Sequence, residues 1–221
     1  YYIGDSVLET FVRIGNESHV AGCARGTLDD GSGSYPVTLN VVGGHNLLNA
    51  AAAWAAGVEL GQEPAAMAEA LGSFVGTGRR FETTGTAYGV TVVDDYAHHP
   101  TEVAATLHAA RERVGEGRVV VLFQPHLYSR TRNFATEFAR ALELADVAVV
   151  TGVYAAREDP MEGVEGNLIT DQMASGVFIE DRFAAADWVA EQARDGDLVL
   201  TVGAGDVTEL APRILERVAD R

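Results

Sequence analysis

Beyond Gly76-Thr77-Gly78 the chain alternates short apolar runs with longer helical stretches, a pattern that few folds satisfy. Strands are predicted near Phe81 to Tyr88, Val90 to Asp94, Arg118 to Phe123, Val147 to Thr151, Val177 to Ile179 and Leu198 to Val202. Helices are predicted near Pro100 to Val114, Asn133 to Leu144, Asn167 to Ala174, Phe183 to Arg194 and Val207 to Val218. This βαβ alternation predicts an α/β fold, a doubly wound and mostly parallel sheet with helices on both faces.

Residues 1–78 follow another pattern. Strands are predicted over Val7 to Ile14, His19 to Arg25 and Tyr35 to Val42, with a Gly15-Asn16 turn and an Asp29 to Ser34 loop between them. Alanine-rich helices are predicted over Asn46 to Ala56 and Pro64 to Phe74. These elements do not complete an α/β domain, so they read as the closing part of one, with a boundary near Gly78. The chain opens on strand-like sequence without an initiator methionine, which reads as a fragment.

Composition narrows the function. With 221 residues, 47% of them hydrophobic, the chain can bury a sizeable core. A net charge of −16 argues against general nucleic-acid binding, and no apolar run approaches a membrane span. All 16 basic residues are arginines, so chemistry that needs a lysine is closed to this chain alone. The single cysteine, Cys23, cannot form an internal disulfide, is expected as a small buried hydrophobe, and fits a reducing cytoplasm.

In open α/β sheets ligands bind beyond the carboxyl ends of the strands. The densest polar cluster, Asp94-Asp95-Tyr96-Ala97-His98-His99-Pro100, lies at such an end, before a helix opened by proline. A carboxylate there can accept ribose hydroxyls, and a histidine can orient a nucleophile; zinc binding and a purely structural role stay open. The next strand is followed by Gln124-Pro125-His126-Leu127-Tyr128-Ser129-Arg130-Thr131-Arg132, suited to capturing a carboxylate or phosphate. Gly78-Arg79-Arg80-Phe81-Glu82 offers guanidinium forks to phosphate, or a surface pair with Glu82. In Gly43-Gly44-His45-Asn46-Leu47-Leu48-Asn49, the two asparagines share a helical face and could read a base edge, or His45 or Asn46 could simply cap the helix. Gly203-Ala204-Gly205-Asp206 lacks the third glycine of a dinucleotide fingerprint and reads as a structural turn with Asp206 as helix cap.

Taken in order, GGHNLLNAAAA, RRFE, DDYAHHPTEV, FQPHLYSRTR and LTVGAGD resemble the Mur ligase family, and within it the alanine-adding branch. The resemblance implies the closing portion of a central ATP-binding domain over 1–78 and a Rossmann-like C-terminal domain over 79–221. It implies a cytoplasmic enzyme of peptidoglycan precursor synthesis that uses ATP and Mg2+ to join L-alanine to UDP-N-acetylmuramate through an acyl phosphate. His45, Asn46 and Asn49 would contact adenine, Arg80 the γ-phosphate and Asp95 the ribose. Tyr96, His98, His126 and Arg130 would bind substrate, with His98 orienting alanine and Arg80 also serving catalysis. Leu127 stands where some members carry a further arginine. The family's phosphate loop and magnesium-holding groups have no counterpart here, so the chain alone is expected to be inactive. A murein tripeptide-recycling ligase, a non-catalytic nucleotide-binding module and a metal-dependent hydrolase using Asp94, His98, His99 and His126 are the alternatives. No nucleic-acid or membrane partner is expected, and a homodimer stays open.

Overall fold

The computed structural model describes residues 2–3, 6–7, 12–20, 23–41 and 43–221. The chain divides into two compact units, Tyr1–Gly76 and Thr77–Arg221.

In the first unit, β1 (Tyr2–Ile3) pairs with β2 (Ser6–Val7), and β3 (Arg13–Val20), β4 (Cys23–Asp29) and β5 (Ser34–Leu39) form an antiparallel sheet. Gly15-Asn16 is not the predicted turn. It lies inside β3, where the register with β4 shifts between Gly15 and Ser18 and Asn16 takes φ 51°, so its left-handed backbone serves a bulge. Residues 8–11 of the predicted first strand and Val42 of the third lie outside the described residues. Helices α1 (Gly44–Glu59) and α2 (Pro64–Leu71) cover the sheet through Leu28, Val37, Leu39, Leu47 and Trp54. Trp54 is buried and its indole N–H donates to the Pro64 carbonyl at 2.8 Å, joining the start of α2 to α1. Cys23 is half-buried rather than buried, its Sγ 3.9 Å from Asn40 Oδ1, and it is free.

In the second unit, β6 (Glu82–Ala87), β7 (Val90–Asp95), β8 (Val119–Phe123), β9 (Val147–Val150), β10 (Gly176–Phe178) and β11 (Leu198–Val202) form one sheet in the order β10-β9-β8-β11-β7-β6. All neighbours are parallel except β6 and β7. That hairpin turns on Tyr88 and Gly89, both with positive φ as a two-residue turn needs, and a side chain on Gly89 would strike Asp195. Residues of β8 alternate between two cores. Val119, Val121 and Phe123 face α3 (Pro100–Val114), α4 (Tyr128–Leu142) and α5 (Asn167–Thr170); Val120 and Leu122 face α6 (Arg182–Gln192) and α7 (Leu210–Ala219). Burial on both faces explains why β8 reads as an unbroken apolar run.

The helix α3 begins and ends where the sequence predicts. Helix α4 begins five residues before the predicted Asn133, with a kink at Phe134. The stretch predicted as one helix from Val207 opens instead as a 3-10 turn, Asp206–Glu209, before α7.

Candidate functional site

Strand register aligns the carboxyl ends of the sheet: Val202 is level with Asp95 on one side and Phe123 on the other, and Phe123 with Val150. The segments that follow β7 and β8 therefore leave the sheet at one level, on either side of β11. This brings together side chains that the sequence holds about thirty residues apart.

Of the two aspartates ending β7, Asp94 is structural. Its buried carboxylate accepts from Arg79 Nε at 3.0 Å, Thr201 Oγ1 at 2.6 Å and Thr208 Oγ1 at 2.8 Å. Arg79 is thus not a surface partner of Glu82 through its side chain. Its guanidinium also donates to the carbonyls of Gly203 and Gly205, at 2.7 and 3.2 Å, while its backbone N–H donates to Glu82. Asp95 Oδ1 accepts from Ala97 N–H and Thr106 Oγ1, and Oδ2 from Phe81 N–H. A carboxylate has about four acceptor positions, which leaves one on Oδ2. Burial pushes the Asp95 carboxyl above its ordinary value, against the lowering by its amide and hydroxyl donors and the Arg80 charge.

The two histidines divide likewise. His99 caps α3: Thr101 N–H donates to its Nδ1 at 3.4 Å, the His99 N–H donates to Glu102 Oε2 at 3.1 Å, and the ring packs edge-on against Phe134. His98 faces the site. Its Nδ1 lies 3.0 Å from the Tyr96 carbonyl and 3.3 Å from Glu102 Oε2, so with two acceptors there Nδ1 carries the hydrogen and Nε2 bears the lone pair of the neutral ring. Burial opposes ionisation of Glu102, but the amides of His98 and His99, the adjoining His98 ring and the Arg80 charge outweigh it and hold the carboxyl below its usual range.

Across the sheet end, the His126 ring meets His98 edge-on at 5.9 Å and stacks on Tyr154 at 5.7 Å. Arg130 lies one helical turn on; its Nη1 approaches the His98 carbonyl at 3.4 Å and His126 Nδ1 at 3.5 Å. Burial, then the Arg130 charge and the neighbouring His98, lower the His126 pKa, favouring the neutral ring. The rings of Tyr96 and His98 are 5.3 Å apart, and the guanidinium carbons of Arg79 and Arg80 lie 4.9 and 5.5 Å from the Tyr96 centroid. Tyr96, His98, His126, Arg130 and the exposed Arg80 therefore form one polar cluster. Ser129 is engaged by Glu158, and Arg132 is exposed on α4.

Of the four residues of the metal-hydrolase alternative, Asp94 is held by Arg79, Thr201 and Thr208 and His99 caps α3, which leaves His98 and His126 together. Among the described residues no group of three or more His, Cys, Asp or Glu could hold a metal ion.

The glycine turn after β11 is structural, as expected, but Asp206 does not cap a helix. It lies inside the 3-10 turn, accepts from Gln124 Nε2 at 2.7 Å and pairs with Arg182. A side chain on Gly205 would collide with Gln124 and Tyr154, which accounts for the glycine.

In the first unit, Gly43 rather than His45 or Asn46 occupies the cap position of α1. Asn49 Nδ2 donates to Asn46 Oδ1 at 3.2 Å, and both asparagines line a cavity of about 370 Å3 walled by Leu39, Val41, Ala53, Leu71 and Phe74. His45 is exposed and lies outside that lining.

Tyr154 and Glu158 went unnoticed in the sequence. Both follow β9 at its carboxyl end, the same positional signal that singled out the other two loops.

Residues 79–205 match the family described as Mur ligase, glutamate ligase domain. The chain is 58% identical over 184 residues to a UDP-N-acetylmuramate--L-alanine ligase of Paenarthrobacter aurescens, which covers 83% of this chain and 40% of that protein. It is 57% identical over 202 residues to the one of Kineococcus radiotolerans, covering 90% and 43%. Among solved structures it resembles the UDP-N-acetylmuramate-alanine ligase of Thermotoga maritima, with a TM-score of 0.75, 30% identity and coverage of 94% of this chain and 45% of that one. A murein peptide ligase of Psychrobacter arcticus shares the fold, with a TM-score of 0.66, 22% identity and coverage of 93% and 44%. The chain spans about two-fifths of the length of these curated relatives. The family match spans more than half of the chain, and the chain belongs to the Mur ligase family.

Proposed function

We propose that this chain supplies the adenine-side and amino-acid-side groups of an ATP-dependent ligase that joins L-alanine to UDP-N-acetylmuramate in cytoplasmic peptidoglycan precursor synthesis. The observation that carries the reading is the meeting of His98, His126 and Arg130 at the level ends of β7 and β8. A carboxylate does not react with an amine until one of its oxygens is made a leaving group. ATP supplies the phosphoryl group that does this to the muramoyl carboxylate. The alanine amine then attacks the acyl carbon, the C–N bond forms, the C–O bond to phosphate breaks, and inorganic phosphate and a proton are released.

The residues present suit the positioning that such chemistry demands. The Arg130 fork takes the alanine carboxylate bidentately, and the neutral His126 ring, its Nδ1 facing Arg130, donates from Nε2 to the same group. His98 Nε2 accepts from the alanine ammonium and aims it, because Nδ1 is fixed by Tyr96 and Glu102. Tyr96 floors the subsite. Arg80, exposed above that ring, is assigned to the γ-phosphate, and the remaining acceptor position of Asp95 to a ribose hydroxyl. The apolar cavity edged by Asn46 and Asn49 suits a purine whose edge needs amide partners, with His45 beside it on α1. Among the described residues no group of three or more His, Cys, Asp or Glu is placed to hold magnesium.

The test is phosphate release from ATP by the protein in its natural length, supplied with UDP-N-acetylmuramate, with L-alanine present or omitted. Strict dependence on both is expected. Release that requires a peptide in place of L-alanine would move the assignment to a tripeptide-recycling ligase, and release independent of any amine would overturn it. Arg80→Ala is expected mainly to lower turnover, since a γ-phosphate contact strengthens as charge develops.

A further inference from the structure

Helix α4 carries Arg130 in its first turn, yet its own leading residues do not cap it. Leu127, at the cap position, has φ 73° and ψ 131° and no side-chain capping bond. A bulky residue seldom adopts such a backbone unless its surroundings hold it there.

The segment after β9 does the holding. Tyr154 N–H donates to the Pro125 carbonyl at 2.8 Å, and Leu127 N–H donates to the Tyr154 carbonyl at 2.9 Å, a backbone clasp on both sides of His126. The chain then turns at Ala156, itself at φ 54°, and returns Glu158 to the start of α4. Glu158 Oε2 accepts from Ser129 N–H at 2.8 Å, and Oε1 accepts from the Ser129 hydroxyl. The Ser129 hydroxyl and amide, with a smaller contribution from Arg130, hold the Glu158 carboxyl below its usual range.

Both Glu158 oxygens are thus used on Ser129. Among the described residues the Arg130 guanidinium has no carboxylate partner within ion-pair distance, and its two contacts, to the His98 carbonyl and His126 Nδ1, are long. A carboxylate placed one residue from Arg130 that bonds to the helix start instead leaves the guanidinium fork open to a ligand carboxylate.

We propose that Glu158 is a positioning residue for the amino-acid subsite: it caps α4 from outside the helix and thereby fixes His126 and Arg130 for the carboxylate of the incoming amino acid. This deepens the ligase reading above and rests on it. Glu158 suits the task because an anion at a helix N-terminus satisfies an orphan N–H and complements the helix dipole. It touches no reacting atom, so its loss should appear in amino-acid binding rather than in nucleotide use.

The experiment compares Glu158→Ala and Glu158→Gln in the protein of natural length. Glu158→Ala is expected to raise the KM for L-alanine about five- to thirty-fold, the upper part of the range for losing a helix cap, with the KM for ATP unchanged within about twofold. Glu158→Gln keeps an oxygen for the Ser129 N–H and should recover most of that loss. Amide exchange on the chain itself gives a readout independent of activity: Ser129 N–H should exchange faster in Glu158→Ala, with the β8 amides unchanged. An unaltered Ser129 amide overturns the cap. A faster Ser129 amide with unchanged alanine KM, or with both KM values raised equally, overturns the positioning role. If the wild-type protein shows no alanine-dependent phosphate release, the ligase reading fails instead, and amide exchange still decides whether Glu158 is the cap.

Discussion

Replacing Asp94 with alanine should destabilise the larger unit by about 3 kcal/mol, a figure that follows from what the carboxylate holds. Its bond to Arg79 is charge-assisted, of the class that contributes about 1.5–3 kcal/mol, and its two threonine hydroxyl bonds contribute about 1 kcal/mol each. The sum, about 3.5–5 kcal/mol, needs discounting. The Arg79 side chain is 26% exposed and retains two carbonyl acceptors, so its charge is not stranded when the carboxylate goes. Thr201 fares worse, because it is fully buried. Asp94→Asn keeps the shape and should lose about half as much, while Thr201→Val should lose about 1 kcal/mol. The assay is native-state amide exchange at Leu200 and Val121, central strand positions that report opening of this unit alone. A 3 kcal/mol loss would speed their exchange about 100-fold. Less than about fivefold acceleration for Asp94→Ala would refute the argument that this carboxylate ties β7, β11 and the turn after β11 together.

The remaining predictions concern the site. His126 should titrate below an ordinary histidine in ring NMR, and Arg130→Ala should move its midpoint upward by removing one of the causes. Because the folded value lies below the unfolded one, of about 6.5, the unfolded chain binds more protons between them; stability should fall as pH drops through that window and level off below the folded value. A His126 midpoint at or above that of an exposed histidine would contradict the geometry. Gly205→Ala would place a methyl 2.6 Å from Tyr154 Cγ and against Gln124 Oε1. It should cost about 1–3 kcal/mol, read as a lowered denaturation midpoint, and weaken the clasp on His126, read as faster exchange at Leu127 N–H.

The polar loop segments show where sequence suffices. Pro100 at the first turn of α3 and the apolar strands made β7, α3 and β8 legible, because proline fixes a helix start and burial on both faces fixes composition. Since ligands gather at carboxyl strand ends, the Asp94–His99 cluster and the loop bearing His126, Ser129, Arg130 and Arg132 are candidates from position and residue type, while the choice of His98, His126 and Arg130 within them follows only from the family resemblance.

What remained hidden depended on partners distant in sequence. The start of α4 is not legible in the sequence because its cap comes from Glu158, 29 residues away. Asp94 and Asp95 are indistinguishable in sequence, yet one is bound by Arg79, Thr201 and Thr208 and the other by the amides of Phe81 and Ala97 with Thr106. Adjacent His98 and His99 part company because helix capping claims only the second. Gly15-Asn16 carries the local signature of a turn but serves a bulge, since pairing with β4 continues past it. Local chemistry thus determined which elements form and which residue types stand at the sheet's edge. Strand register and long-range hydrogen bonds alone decided which of those residues are consumed by the fold and which are left to meet a ligand.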